Sequence, residues 1–221
     1  MLKADLHIHT CYSMDCNTPL EKIIERCRKI GINCIAIADH GTAEGALKMQ
    51  KMAPFKVIVA EEILTTQGEI MGMFLKETIP SGLTPAETIR RIRAQGGLVN
   101  IPHPFETIRG SALKDWCIEE IAADIDLIEV LNARSPFAAN TDKAKAFATS
   151  HNIPGIAGSD AHTIYEIGNA YIEISEFSTP EEFIKAVRNG RITGKRSGIF
   201  VKFFSTAAKI KNHLLHKGKS K

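Results

Sequence analysis

The chain has 221 residues, 44% hydrophobic and 24% charged, with a formal net charge of +3. That balance excludes collagen, an extended disordered chain and a simple coiled coil, and the length suits one large domain or two small ones. No apolar run approaches the ~20 residues of a membrane span, the opening ten residues lack the segments of a secretory leader, and five cysteines without CxxC spacing argue against disulfides or a thiolate zinc site, so reduced thiols and a cytoplasmic location are expected.

In chain order, an apolar strand is expected over residues 4–8, then a helix opened by Thr18-Pro19-Leu20-Glu21 and closed near Gly31. Further buried strands are expected over residues 34–38 and 57–60, and a hairpin or short excursion over 63–66 and 70–75 around Gln67-Gly68. A second helix opens at Thr84-Pro85-Ala86-Glu87 and closes at Gly96, ahead of strands over 98–101, 127–131 and 153–157. A third opens at Thr179-Pro180-Glu181-Glu182 and closes at Gly190. In each start Thr can cap, Pro wastes no donor at the first helical position, and Glu can reach back to the cap amide; the glycines suit left-handed helix ends. Strand followed by helix, without a Pro-, Gly- or Ser-rich linker, indicates a single α/β domain, with an open doubly wound sheet and a closed barrel both open at this point. Residues 191–221 hold nine Lys/Arg and no acid against a net charge of −6 before them, which reads as a last helix and solvated basic tail, the alternative being a segment that holds nucleic acid or an anionic membrane surface.

Asp5, His7 and His9 occupy alternate positions of the first strand, a pattern that puts all three on one face. Two histidines so spaced can hold one divalent ion, or two neighbouring ions, through neutral ring nitrogens. Asp15 follows a turn, Asp39-His40 and Glu61-Glu62 end the next two apolar runs, His103 follows the run at 98–101, and Asp160 and His162 follow that at 153–157. In parallel α/β folds the C-terminal strand ends share one face, so these residues, including five of the eight histidines, converge on one cleft. Imidazoles and carboxylates without thiolates suit Zn, Mn or Fe, and the candidates outnumber the roughly four to six ligands of one ion, so two or three divalent ions are implied. His151, His213 and His216 fall outside the set, and Trp116 and the phenylalanines read as core or helix packing.

These residues carry a resemblance to the PHP domain family, named for polymerase and histidinol phosphatase. The run from Asp5 through His7 and His9 to Asp15 is similar to its opening motif, Ile37-Ala38-Asp39-His40-Gly41 to its second and Gly158-Ser159-Asp160-Ala161-His162 to its last. Ala60-Glu61-Glu62-Ile63 and Ile101-Pro102-His103-Pro104 resemble its intermediate motifs more loosely. The resemblance implies a distorted (β/α)7 barrel with a trinuclear metal site, and a domain over residues 1–200 followed by a basic extension over 201–221. It implies His7, His9, Asp15, His40, Glu62, His103, Asp160 and His162 as ligands, Glu62 being preferred to Glu61 by motif register alone. Where many relatives place a further histidine this chain has Glu69, either a ligand that favours a harder ion such as Mn or an exposed hairpin residue. Asp5 and Asp39 are expected either to orient ligating imidazoles or to take a capping or turn role at a strand end. Arg134 is expected either to clamp a phosphate or to form a surface salt bridge.

The activity implied is metal-dependent hydrolysis of phosphoesters on small phosphorylated metabolites or nucleotides. The alternatives are a 3′–5′ exonuclease aided by the basic tail, a metal-dependent amide hydrolase, and a non-catalytic metal-binding domain. A nucleic-acid partner is not favoured, and the sequence is silent on oligomeric state.

Overall fold

The apolar runs form strands because β-branched and small residues alternate along them, the former meeting helices and the latter lining a narrow interior. A computed structural model describes residues 1–196. Among them are strands β1 (Leu2–Ile8), β2 (Cys34–His40), β3 (Lys56–Thr65), β4 (Gly68–Met73), β5 (Leu98–Ile101), β6 (Leu127–Asn132), β7 (Gly155–Gly158), β8 (Ala170–Ile174) and β9 (Arg191–Gly194). The helices are α1 (Leu20–Ile30), α2 (Glu44–Met52), α3 (Pro85–Ala94), α4 (Asp115–Glu120), α5 (Ala138–Ser150) and α6 (Pro180–Arg188).

The sheet order is β7-β6-β5-β4-β3-β2-β1-β8-β9. Strands β1, β2, β3, β5, β6 and β7 run parallel, while β4 lies antiparallel between β3 and β5. At the C-terminal end of β1 the chain after β7 closes the seam: the Ala161 carbonyl accepts from the His9 amide at 2.9 Å, and the Ala161 amide reaches the His7 carbonyl at 3.3 Å. At the other end β8 pairs antiparallel with β1 instead. The result is the distorted seven-stave α/β barrel expected, nearly closed, in a single domain.

Two apolar layers hold it. Ala4, Leu6, Ala36, Ala38, Ala60 and Met71 are among the residues filling the interior, and Phe183 of α6 is fully buried against its N-terminal end. Ile8, Ile35, Ile37, Val57 and Val59 face outward and pack on Ile23, Met49, Ile92 and Phe147 of the helices. Small residues inside are what a barrel this narrow admits.

The structure departs from the sequence reading at several elements. Of the two readings for the segment around Gln67-Gly68 the hairpin holds, with β3 running on to Thr65 and β4 returning antiparallel as a full stave. Strands β8 and β9 were not anticipated, and Arg191–Gly194, read as the start of a separate basic tail, pairs with β8. Thr84 and Thr179 accept from the amides of Glu87 and Glu182, but Thr18 makes no such cap and donates to the His162 carbonyl at 3.1 Å. Gly31 and Gly96 are left-handed; Gly190 is not, and is required because a Cβ there would meet Ile172 Cδ1 at 2.6 Å. The basic extension over residues 201–221, with His213 and His216, lies outside the described residues.

Candidate metal centre

The first strand sets the site through an irregularity. Asp5 lies beside Ile35 and Ile8 beside Ile37, so three steps of β1 oppose two of β2. Such a bulge reverses the alternation. Ile8 joins the outward layer and Leu6 the inner one, so His7 and His9 both turn to the inside of the barrel mouth while Asp5 stays with the outward set. The expectation that Asp5, His7 and His9 share one face is therefore corrected.

Asp5 instead ties the seam. Its carboxylate accepts from the amides of Ser159 and Gly168, each at 2.9 Å, and burial raises its pKa to about 6. Asp39 accepts from the Thr10 amide at 2.6 Å and the Thr10 hydroxyl at 2.7 Å. Neither makes a described hydrogen bond to an imidazole ring, so of the two expected roles it is the capping of backbone amides beside strand ends that they play. Glu129 has it: its Oε1 lies 3.2 Å from His7 Nδ1, while its Oε2 accepts from the His103 amide at 2.7 Å and from Asn132 at 2.9 Å.

In-register pairing of β2 with β3 puts Ala38 beside Ala60 on the inner face, so His40 and Glu62, paired two residues on, also face inward. Glu61 points the other way, accepts from the Ile79 amide at 2.9 Å and is raised to about 8 by burial. Glu69 shares the inner parity of Met71 and Met73 on β4 and is only 4% exposed, which removes the reading as an exposed hairpin residue. His103, Asp160 and His162 follow β5 and β7, and His103 (φ 29) and Asp160 (φ 54) hold left-handed backbone, which costs a non-glycine residue of order 1–3 kcal/mol and clusters at functional sites.

The nine candidates meet. His9, Asp15, His40 and His162 form one group, His7, His9 and Glu62 a second, and His40, Glu62 and Glu69 a third, each with its ligand atoms within 4.8 Å of one another. His103 Nε2 lies 2.7 Å from Glu62 Oε1, and Asp160 Oδ1 lies 3.4 Å from His9 Nε2 and 3.5 Å from His162 Nδ1.

Burial, reinforced by His162 and His40, pushes His9 down to about 3, leaving it neutral. Burial also opposes charge on His40 and His7, but the surrounding carboxylates prevail: Glu62, Asp15 and Glu69 hold His40 at about 9, and Glu62, Glu129 and Asp160 hold His7 well above its ordinary value. Glu62 is held low against its burial by His7, His40 and His103, and Asp160 by Arg109 and His7, whereas burial and the Glu62 charge raise Glu69. Protons on His7 and His40 thus do what cations would do among these acids.

The residues fit divalent ions. Glu62 Oε2, Glu69 Oε2 and Asp160 Oδ1 are buried with no hydrogen-bond partner, and the ring nitrogens His7 Nε2 and His9 Nε2 point at each other across 3.1 Å. Orphaned acceptors of this kind are costly unless a positive centre meets them.

Above the cluster opens a cavity of about 700 Å³ lined by Asp15, His40, Glu62, Glu69, Arg109, Arg134 and His162 among others. Arg134 is buried rather than a surface residue: its Nε lies 3.1 Å from Glu166 and a terminal nitrogen 2.7 Å from His162 Nδ1. Arg109, which the sequence reading passed over, donates to Asp160 Oδ2 at 2.7 Å from the loop after β5. No periodicity marks that loop, so only the fold reveals it. His151 stands apart, its ring stacked 4.1 Å from Phe147, while Trp116, read as packing, is 55% exposed.

Comparison with known proteins agrees with this arrangement. The family model described as the PHP domain matches residues 5–69, and one described as PHP-associated matches residues 139–192. An uncharacterized protein of Methanocaldococcus jannaschii is 42% identical over 145 residues, covering 60% of this chain and 82% of its own, and a second from that organism is 34% identical over 197 residues, covering 85% and 79%. A two-domain protein of Bacteroides vulgatus, described as containing a predicted PHP-like metal-dependent phosphoesterase, has a similar fold at a TM-score of 0.72 and 15% identity, over 88% of this chain. This chain spans 65% of that protein. By its motifs, its relatives and its barrel, the chain belongs to the PHP family.

Proposed function

We propose that the protein is a metal-dependent phosphoesterase acting on small phosphorylated metabolites or nucleotides. One observation carries the reading: nine imidazoles and carboxylates, three of the acids with orphaned oxygens, surround the floor of a cavity whose wall bears two guanidinium groups. His7, His9, Asp15, His40, Glu62, Glu69, His103, Asp160 and His162 would hold two or three divalent ions. Four carboxylates among nine ligands favour an oxygen-preferring ion, Mn before Zn or Fe. When bound, the ions supply positive charge at the phosphoryl oxygens and make hydroxide available near neutral pH.

The chain's own groups orient the ester. Were His162 to hold an ion through Nε2, Nδ1 would carry the proton and donate to the Asp160 carbonyl, 2.9 Å away. The Arg134 guanidinium, 2.7 Å from that nitrogen, would then be released from it to a phosphate while Glu166 keeps it in place. Arg109 would serve the same anion from the neighbouring loop, after β5. The net reaction consumes one water, whose oxygen stays on phosphorus and whose proton ends on the released alcohol. An amide hydrolase with a bridging lysine is disfavoured, since among the described residues no lysine lines the cavity.

The test is to strip the protein with chelator, restore Mn, Fe or Zn separately, and follow phosphate release from generic mono- and diesters. Turnover is expected to vanish on stripping and to return best with Mn; unchanged turnover in stripped protein would overturn the reading. Arg134→Ala is expected to raise KM for phosphoesters about tenfold or more while leaving bound metal, measured by elemental analysis, intact.

A further inference from the structure

The cavity has a second chemistry besides its charged floor. Leu64, Ile108 and Met14 line it, and all three are large apolar residues about half exposed, at 47%, 58% and 58%. They come from separate parts of the chain: the outward end of β3, the loop after β5 and the turn after β1. Single exposed apolar side chains are ordinary. Three that converge on one polar cavity from unrelated segments make an apolar wall, the feature that distinguishes ligand sites from surface.

The loop bearing Ile108 is anchored at its base. Phe105, buried and in the left-handed region at φ 63, packs 5.8 Å from Phe147 of α5. On the far side, Gly68 lies so close to the loop that a Cβ would meet the Ala112 carbonyl oxygen at 2.5 Å. Ile108 is therefore carried on a segment fixed at both ends, next to Arg109, whose guanidinium donates to Asp160 at the cavity floor.

Resting on the phosphoesterase reading, we infer that Leu64, Ile108 and Met14 form the subsite for the organic part of the ester and select esters whose alcohol is apolar or aromatic over polyol and sugar phosphates. The volume agrees, since about 700 Å³ falls within the 300–1,000 Å³ range typical of small-molecule sites and exceeds what a phosphate alone needs.

The experiment compares binding of two hydrolysis-resistant probes, naphthylmethylphosphonate and 2-hydroxyethylphosphonate, to Mn-loaded full-length protein by titration calorimetry, alongside hydrolysis of the matching phosphates. The wild type is expected to bind the aromatic probe about tenfold more tightly. In Ile108→Ser and in Leu64→Ser/Ile108→Ser that ratio is expected to fall several-fold, with thermal melting checking the fold of each variant. A wild-type ratio near one, or variants that weaken both probes equally, would overturn the inference even if both esters are cleaved. An intact ratio without cleavage of either ester would uphold the subsite and sink the phosphoesterase reading instead.

Discussion

Glu129 joins two imidazole-bearing segments at once, meeting the His7 ring with one oxygen and the His103 backbone with the other. Removing it leaves His7 Nδ1 without its buried partner. Glu129→Ala is expected to weaken metal affinity about 10–100-fold, with Glu129→Gln in between, measured by competition with a chelating dye. His40 gives a pH test. Its pKa of about 9 lies above the ordinary 6.5, and the ring must lose that proton to ligate. Apparent Mn affinity is thus expected to rise up to ~10-fold per pH unit for this proton between pH 6.5 and 8.5 and to flatten near 9, with proton release read by calorimetry in buffers of different ionisation heat. The sign for the ion-free fold is opposite: the raised pKa contributes stability that is full below 6.5 and lost as pH passes 9. At this scale, the candidate ligands were readable because polar residues punctuating the ends of apolar runs have few other uses. Asp5 was misread because a bulge leaves no mark in composition. Glu129 did leave a sign, a lone acid inside an apolar strand; Arg109, in an aperiodic loop, left none.

Helix starts with the same four-residue signature behave differently according to what lies beside them. Thr84 caps α3 by accepting from the Glu87 amide at 3.3 Å, whereas Thr18 is drawn to the His162 carbonyl. Thr84→Ala is expected to cost about 1 kcal/mol of stability by denaturant titration. Thr18→Ala is expected to cost less at α1 and to act instead on the turn carrying Asp15, seen as weaker metal binding. The parallel strands and boxed helices were legible from periodicity and capping chemistry. The hairpin that makes β4 was legible too, from the turn residues Gln67-Gly68, but the pair β8–β9 was not, because short strands take their identity from the neighbour they pair with rather than from their own residues. Likewise Gly190, expected as a left-handed stop, is dictated by the proximity of Ile172 across a gap no local pattern records.

For the molecule as a whole, the sequence conveyed the layer architecture and the mouth of the barrel but left the closure between barrel and open sheet to the resemblance. The thiols test how tight the whole is. Cys16, Cys27, Cys34 and Cys117 are buried, and burial pushes the first three up to about 12; Cys11 is exposed. One thiol is expected to react rapidly with a disulfide reagent at pH 8, and all five once the protein is denatured. Since the folded thiol pKa lies above the ordinary value near 9, stability is expected to be intact below pH 9 and to decline toward pH 12, with a shallower decline in Cys34→Ala.

The seam at Ala161 joins parts of the barrel that lie far apart along the chain. The backbone partner for the His7 and His9 end of β1 comes from the segment that also brings Asp160 and His162. A fragment ending before β7 is therefore expected to hold divalent ions more weakly than the whole barrel, measured by competition with a chelating dye.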